Sequence, residues 1–282
     1  MSIRTDLAAE AAFSALQSRT EGIKQQIRQG RTSKITEITI ETDEAGKPIG
    51  KGKGKYITVE AASPYAEFTE QADDIADELK KLCGCDNNVL IIGLGNSDIT
   101  PDALGPKAVS GIIATRHLRD ELPKGHFLSG LHSVSALATG VLGQTGIEVA
   151  EITKAVSDRT SPQCVIVIDA LACADSSRLG TTVQLTDTGI SPGSGVQNSR
   201  KELFRHTLGV PVVAVGVPTV IDMHTIYENM SGKAPEKDLP NMMVTPRDID
   251  RIIDRTAKLI AHALNRAFQP DLSHEDIETL GK

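Results

Sequence analysis

The chain has 282 residues, of which 39% are hydrophobic and 3% are aromatic, and it contains no tryptophan. This length fits one large domain or two small ones, and a core of Ile, Val, Leu and Ala is typical of parallel sheets covered by helices. The formal net charge of −7 argues against direct nonspecific binding of nucleic acid, which depends on Lys and Arg neutralising phosphates.

Hydropathy and cysteine content indicate whether the protein is membrane-bound, secreted or intracellular. No run approaches 18 apolar residues, so we expect no membrane-spanning segment, and the first residues lack the apolar stretch of a secretory signal. The four cysteines are therefore typical of reduced intracellular thiols. Cys83 and Cys85 lack the C-x₂-C spacing of a zinc knuckle.

The amino-terminal part is predicted to contain a helix and a hairpin. Residues 5–29 carry apolar side chains near a 3.6-residue period, which predicts an amphipathic helix. Residues 34–41 and 54–61 are rich in β-branched or alternating residues around a turn at 43–48, which predicts an antiparallel β-hairpin. Four lysines around this hairpin favour a solvated edge over a binding patch: Lys47, Lys51, Lys53 and Lys55.

From residue 67 onward, helices alternate with strands. We predict strands near 88–93, 126–131, 163–169, 181–186 and 211–216, and helices near 67–82, 102–118, 147–158, 199–208 and 246–267. Such alternation indicates βαβ units, hence an α/β fold with a mixed, mostly parallel sheet and helices on both faces. We expect one α/β domain over 1–282, with 30–62 as a hairpin addition and 228–245 as a surface loop.

The segment after the first buried strand carries the first candidate residue. The strand ends in Gly93-Leu94-Gly95-Asn96, and Thr100-Pro101-Asp102 then indicates a helix start. Ligands of open α/β sheets bind at the carboxyl ends of strands. Because position 98 is Asp where a dinucleotide fingerprint needs its third glycine, nucleotide binding is disfavoured. Asp102 is either a first-turn acid that complements the helix dipole or a functional carboxylate.

Asp169 is the second candidate because it is a lone carboxylate within an apolar run over 164–172. A buried charge needs partners or a shifted pKa. Asp169 either caps the next turn or lies at a strand end on the same edge of the sheet as Asp102. Two such acids would titrate as a pair with one shared proton, and they could activate water and protonate a leaving amine.

Further strand-end loops offer candidates for substrate binding. Gln144 and Thr145 could bind the backbone of a substrate, and the glycines of residues 187–198 let the chain lie close to a ligand. A plain connecting loop is the alternative for 187–198, and a first-turn acid is the interpretation of Asp222. The seven histidines show no metal-ligand pairing, and a serine-hydrolase G-x-S-x-G elbow is missing.

Together these segments resemble the germination protease of spore-forming bacteria. The resemblance rests on motifs in the same order over nearly the whole chain, at residues 4–8, 93–96, 100–106, 143–148, 168–172, 187–190, 192–195, 216–220 and 242–246. It implies an endopeptidase that degrades small acid-soluble spore proteins at germination. It also implies a homotetramer in the cytoplasm of the forespore or spore core, and a phosphorylase/hydrolase-like fold similar to hydrogenase maturation proteases.

The resemblance also assigns residues. The two aspartates that are catalytic candidates in the family fall on Asp102 and Asp169, which implies an atypical aspartate-type peptidase without a cofactor. A single Asp-Thr-Gly at 187–189 excludes the double lobe of pepsin-like enzymes. Backbone N–H groups near 93–96 or 193–195 are candidate oxyanion donors. The expected substrate-binding residues are Gly95, Asn96, Gln144, Thr145, Gly193 and Ser194.

Two departures from the family pattern leave alternatives open. Family members are zymogens whose propeptide ends just before the segment at 4–8, and only three residues precede it here. Either this chain has the mature length or this member has almost no propeptide. The related hydrogenase proteases hold nickel with Glu, Asp and His, but residues 191–195 contain no His, so we expect no metal. A metal-dependent peptidase and a non-enzymatic spore-protein-binding module are the competing hypotheses.

Overall fold

The computed structural model of the chain describes residues 5–18, 20–61, 68–85, 87–118, 130–191, 201–236, 238 and 240–281. The strands are β1 (Ile23–Gln29), β2 (Ser33–Ile40), β3 (Gly54–Ala61), β4 (Val89–Leu94), β5 (Val134–Gly140), β6 (Cys164–Cys173), β7 (Thr182–Thr186), β8 (Val212–Asp222) and β9 (Met243–Val244). The helices are α1 (Ala8–Ala11), α2 (Phe13–Gln17), α3 (Asp43–Gly46), α4 (Phe68–Cys83), α5 (Leu104–Ser110), α6 (Leu142–Thr145), α7 (Val149–Thr160), α8 (Arg205–Leu208), α9 (Met223–Ser231), α10 (Ile249–Phe268) and α11 (His274–Leu280). Short 3₁₀ turns cover Lys47–Ile49, Thr100–Asp102 and Ser176–Arg178.

Nine strands of the described residues form one mixed sheet in the order β1-β2-β3-β7-β8-β6-β4-β5, with β9 added beside β8. The pairs among β5, β4, β6 and β8 are parallel. The pairs that join β1, β2, β3, β7, β8 and β9 are antiparallel. The predicted mixed sheet with its β2–β3 hairpin is confirmed. The sheet is not mostly parallel, however: among the described strands, three pairs are parallel and five are antiparallel, because the hairpin extends the sheet through β7.

The two faces of the sheet carry separate hydrophobic layers, because successive side chains of a strand point to opposite faces. On β4, Val89 and Ile91 belong to the layer covered by α4, α5 and α10. Leu90 and Ile92 belong to the layer covered by α7 and α8. Helices therefore cover both faces, and all six residues of β4 are buried.

The predicted helix over 5–29 is wrong at its carboxyl end. Helix α2 ends at Gln17, and after Gly22, which has φ +83°, Ile23 to Gln29 form the outer strand β1. Ile27 is 56% exposed, so the helical spacing of Ile23 and Ile27 does not mark a buried face. The ladder to β2, in which Ile23 pairs with Ile40, overrides the local pattern.

The predicted helix over 102–118 is shorter in the structure because the side chain of a distant residue forms hydrogen bonds with backbone groups of this segment. α5 ends at Ser110. Asn265 on α10 accepts a hydrogen bond from the N–H of Ile113 at 3.0 Å and donates one to the carbonyl oxygen of Gly111 at 2.9 Å. These two contacts replace the bonds that would have continued the helix.

Other boundaries differ more simply. The predicted strand over 126–131 lies almost wholly outside the described residues, and the strand that pairs with β4 is Val134–Gly140. Of the helix predicted over 199–208, the described part is Arg205–Leu208. The predicted loop over 228–245 begins inside α9, which continues to Ser231. In the described part of the chain, none of the helices combines the length and the apolarity needed to cross a bilayer.

Candidate functional site

Close contacts between backbones hold Asp102 against the end of β4. Gly95 has φ +113°, and a Cβ atom built on it would lie 1.9 Å from the carbonyl oxygen of Asp102. A Cβ on Gly93 would lie 2.4 Å from the carbonyl oxygen of Gly105 at the start of α5. The Gly-x-Gly turn therefore consists of glycines because the turn Thr100–Asp102 and α5 pack directly on the strand.

Asp102 lies in this 3₁₀ turn and precedes α5, so it is not a first-turn acid of that helix. The Oδ2 atom of Asp102 accepts a hydrogen bond from the backbone N–H of Asn96 at 2.7 Å. This bond orients the half-buried carboxyl group at the carboxyl end of β4.

Asp169 lies within β6, which runs between β4 and β8 in the sheet. Its side chain is only 8% exposed, and its Oδ1 atom accepts a hydrogen bond from the N–H of Ala170 at 3.0 Å. Burial raises the pKa of Asp169 well above the usual range of aspartate, and the negative charges of Asp102 and Asp6 raise it further. Asp169 therefore retains its proton at pH values at which an ordinary aspartate is ionised.

The structure brings the two predicted acids together. Asp102 and Asp169 line one cleft of ≈ 1090 Å³, and they interact electrostatically. This follows from the topology, since β4 and β6 are parallel neighbours in which Gly93 is opposite Ile168. Their carboxyl ends lie at the same edge of the sheet, as expected of an α/β crevice.

A third acid of the cleft, Asp6, was not identified from the sequence. The N–H of Asp6 donates to the carbonyl oxygen of Ala172 on β6 at 2.9 Å. In return, the N–H of Ala172 donates to Asp6 Oδ2 at 2.8 Å. Asp6 belongs to the motif at 4–8 on which the resemblance partly rests, but no periodicity or spacing relates that motif to β6.

Lys51 also lies in the cleft, contrary to the expectation that all four lysines of the hairpin lie on a solvated edge. Its Nζ atom donates to the carbonyl oxygen of Asp6 at 2.7 Å. Burial lowers the pKa of the Lys51 amine, and the carboxylates of Asp6 and Glu10 oppose that shift. The cleft thus places an amine beside a group of acids.

The residues predicted to bind substrate occupy different places. Gly95 and Asn96 adjoin Asp102, as described above. Gln144 reaches the same loop, because its Nε2 atom donates to Asn96 Oδ1 at 2.6 Å, but neither Gln144 nor Thr145 is among the described residues that line the cleft. Thr145 Oγ1 instead accepts from the N–H of Ile147 within its own turn at 3.1 Å. The remaining two predictions, Gly193 and Ser194, lie outside the described residues.

The single Asp-Thr-Gly segment, residues 187–189, lines the cleft. Asp187 Oδ1 accepts a hydrogen bond from the N–H of Lys55 at 2.8 Å, which fastens the end of β7 to β3. Asp222, by contrast, has a structural role as the N-cap of α9, where it accepts from the N–H of Thr225 at 3.1 Å.

Metal-ligating chemistry finds no support in the described side chains. No three His, Cys, Asp or Glu residues among them are arranged to hold a metal ion. None of the four cysteines, all of which belong to the described part of the chain, forms a disulfide. Burial raises the pKa of Cys173 to about 12, so this thiol is a poor nucleophile.

Comparison with known proteins gives a consistent result. Residues 4–231 match the family model described as germination protease. The chain is 38% identical to the germination protease of Caldanaerobacter subterraneus subsp. tengcongensis, with 99% of this chain and 98% of that protein covered. It is also 38% identical to the germination protease of Clostridium tetani, with 99% of each chain covered.

Among solved structures, the chain is similar to a [NiFe] hydrogenase maturation protease, HycI, from Thermococcus kodakarensis. That similarity has a TM-score of 0.38 and 18% sequence identity, and it covers 67% of this chain and 99% of the other. The near full-length matches to the curated relatives and the match of residues 4–231 to the family model are much stronger. The chain belongs to the germination protease family and is therefore a peptidase.

Proposed function

We propose that the chain is an endopeptidase that starts the degradation of small acid-soluble spore proteins during germination, and that Asp102 and Asp169 together activate the attacking water. The observation that supports this most directly is the shared cleft, in which a buried acid with a raised pKa lies beside a second acid. Two neighbouring carboxyl groups that hold one proton can act as base and acid in the same reaction.

In the proposed reaction, the Asp102 carboxylate takes a proton from water as the water oxygen bonds to the scissile carbonyl carbon. Asp169 gives its proton to the carbonyl oxygen. When the tetrahedral intermediate collapses, the C–N bond breaks, Asp102 passes its proton to the leaving amine, and Asp169 regains a proton from the intermediate's hydroxyl group. The pair thus returns to its starting protonation state.

The contacts of Asp102 reduce the number of groups that could donate a hydrogen bond to the oxyanion. The N–H of Asn96 already donates to Asp102 Oδ2, so it serves to orient the acid rather than to bind the substrate oxygen. We therefore favour the protonated Asp169 as the group that neutralises the developing oxyanion, with the loop at 193–195 as the alternative donor.

Two isosteric variants test this mechanism. Asp102→Asn and Asp169→Asn each remove one ionisable proton site and keep the shape of the side chain. We expect both folded variants to lose at least about a hundredfold of the cleavage rate of a purified acid-soluble spore protein, the lower end of the usual effect of one general acid or base. Asp222→Asn, which changes the N-cap of α9 outside this pair, is the matched control.

Near wild-type cleavage by either cleft variant would contradict the paired-acid mechanism. Loss of activity on chelation and its return with nickel or zinc would instead favour the metal-dependent peptidase. Substrate binding without cleavage by the wild type would favour the binding module.

We also propose self-association as a homotetramer in the cytoplasm of the forespore or spore core. The resemblance to the germination protease family supports this proposal, and exposed apolar side chains such as Met230, which is 85% exposed, and Met242, which is 59% exposed, are surface that an interface would cover. Light scattering of the purified protein should give four times the chain mass, and a monomer at all concentrations would contradict this proposal.

A further inference from the structure

We propose that Asp6 is a third acid of the catalytic centre, a positioning residue whose carboxylate lies in the same cleft as Asp102 and Asp169 and acts on that pair through its negative charge. Residues 5–10, here called the amino-terminal segment, thereby become part of the catalytic apparatus. This inference rests on the proposed function, since it concerns how the same acid pair keeps its working protonation state.

The amino-terminal segment is bound to β6 just beyond Asp169. Besides the two bonds between Asp6 and Ala172, the carboxylate of Glu10 accepts from the N–H of Ala174 at 2.8 Å and from that of Asp175 at 3.1 Å. Leu7 is fully buried and packs with Leu171 and Cys173. The segment therefore continues along the strand that carries Asp169 and is anchored at Asp6 itself and, beyond it, at Leu7 and Glu10.

The position of Asp6 is further defined by contacts from two other elements. Its carbonyl oxygen accepts from Lys51 Nζ at 2.7 Å and from Gln184 Nε2 at 3.0 Å. The next residue but one is fixed in the same way, because the N–H of Ala8 donates to Gln184 Oε1 at 2.6 Å. These contacts hold the backbone, so the carboxylate of Asp6 has a defined place relative to Asp169.

The charges around Asp169 indicate what Asp6 does there. Among the described residues, the acids that act on Asp169 are Asp102 on its 3₁₀ turn and Asp6 on the amino-terminal segment, and both favour its protonated form. Other charged or titratable side chains line the same cleft: Asp43, Lys51, Lys53, Tyr56, Asp187, Arg205 and His206. Asp187 is an acid of this cleft that is not among the causes of the shift of Asp169, so it offers a matched comparison.

The consequence concerns the upper pH limit of activity. An acid pair works while it holds one proton and stops when that proton leaves. A second negative charge near Asp169 makes that loss harder, so Asp6 extends the working range toward higher pH. Asp6 needs no contact with the substrate for this effect.

The test is Asp6→Asn, which removes the charge but retains an oxygen to accept the N–H of Ala172. We expect the alkaline limb of the kcat/KM profile to move to lower pH, because removing a nearby like charge lowers the pKa of Asp169. Cleavage on the acid side should stay near that of the wild type. Asp187→Asn, which changes an acid of the same cleft that is not among the causes of the Asp169 shift, should leave the alkaline limb in place.

A direct titration separates this inference from the proposed function. In protein labelled with ¹³C at the aspartate carboxyl carbons, the Asp169 signal is assigned by its absence in Asp169→Asn. Asp6→Asn should lower the midpoint of its titration. An unchanged midpoint and an unchanged alkaline limb would overturn the role of Asp6, even if the Asp102 and Asp169 variants are inactive.

Conversely, active Asp102 and Asp169 variants would refute the proposed mechanism, while the shifted carboxyl titration would still measure the effect of Asp6. If Asp6→Asn does not fold, Asp6→Glu and Asp6→Gln provide a pair of equal size that differs in charge. The Glu variant should keep the higher alkaline limb and the Gln variant should lose it, and equal limbs would contradict the proposal.

Discussion

Substitution of Gly95 by alanine tests how the β4 loop positions Asp102. The new Cβ atom would lie 1.9 Å from the carbonyl oxygen of Asp102, on a residue with φ +113°. The backbone conformation alone costs about 1–3 kcal/mol for a residue other than glycine. Overpacking against rigid backbone adds about 1–3 kcal/mol. We therefore expect Gly95→Ala to lower the free energy of unfolding by about 2–6 kcal/mol.

Two other glycines separate these contributions. Gly232 has φ +66° with no atom within 4 Å of an added Cβ, so Gly232→Ala carries the conformational cost alone, about 1–2 kcal/mol. Gly143 has neither a positive φ nor a close neighbour, so Gly143→Ala should be neutral or stabilise by up to about 1 kcal/mol. The difference between Gly95→Ala and Gly232→Ala measures the clash with the Asp102 turn.

Urea unfolding and cleavage of a spore protein are the assays. Because the clash pushes against Asp102 itself, Gly95→Ala should also lose cleavage activity in the fraction that remains folded, while both control variants keep it. If Gly95→Ala is no less stable than Gly232→Ala and cleaves at the wild-type rate, the close packing of this loop does not position Asp102.

Three further outcomes are expected. Burial raises the pKa of Asp169, so the folded state favours the neutral form of this side chain. The resulting contribution to stability is complete below about pH 4, the pKa of an aspartate in the unfolded chain. It is lost as the pH rises through the pKa that Asp169 has in the folded state. Asp169→Asn should therefore match the wild type in thermal unfolding at acid pH and exceed it at higher pH, and a gain at acid pH alone would contradict this. Leu7→Ala should lower the free energy of urea unfolding by about 2–5 kcal/mol because the side chain is fully buried. Phe13→Ala should cost much less, because Phe13 is 61% exposed. Equal losses would argue against docking of the amino-terminal segment. Since the chain carries a net charge of −7, it should act on spore protein free of DNA, and saturating DNA should slow cleavage in a timed gel assay. An unchanged rate would refute that expectation.

The acid pair could be located from the sequence because each acid follows or interrupts an apolar run that is buried on both faces. Such runs predict parallel strands, and parallel neighbours bring their carboxyl ends to one edge of the sheet. To place Asp102 and Asp169 at one edge of the sheet, it was therefore enough to assign the strands β4 and β6 correctly. These two strands are neighbours in the sheet.

The tertiary structure alone decided which distant groups join that pair. Asp6 meets Ala172 from 166 residues away in the chain, and no local pattern encodes such a contact. The same holds for Asn265, which ends α5 from 152 residues away, and for β1, whose helical spacing yields to pairing with β2. Periodicity and propensity describe the chain over one or two turns or strands, whereas the free energy of these contacts arises from packing between segments that the fold brings together.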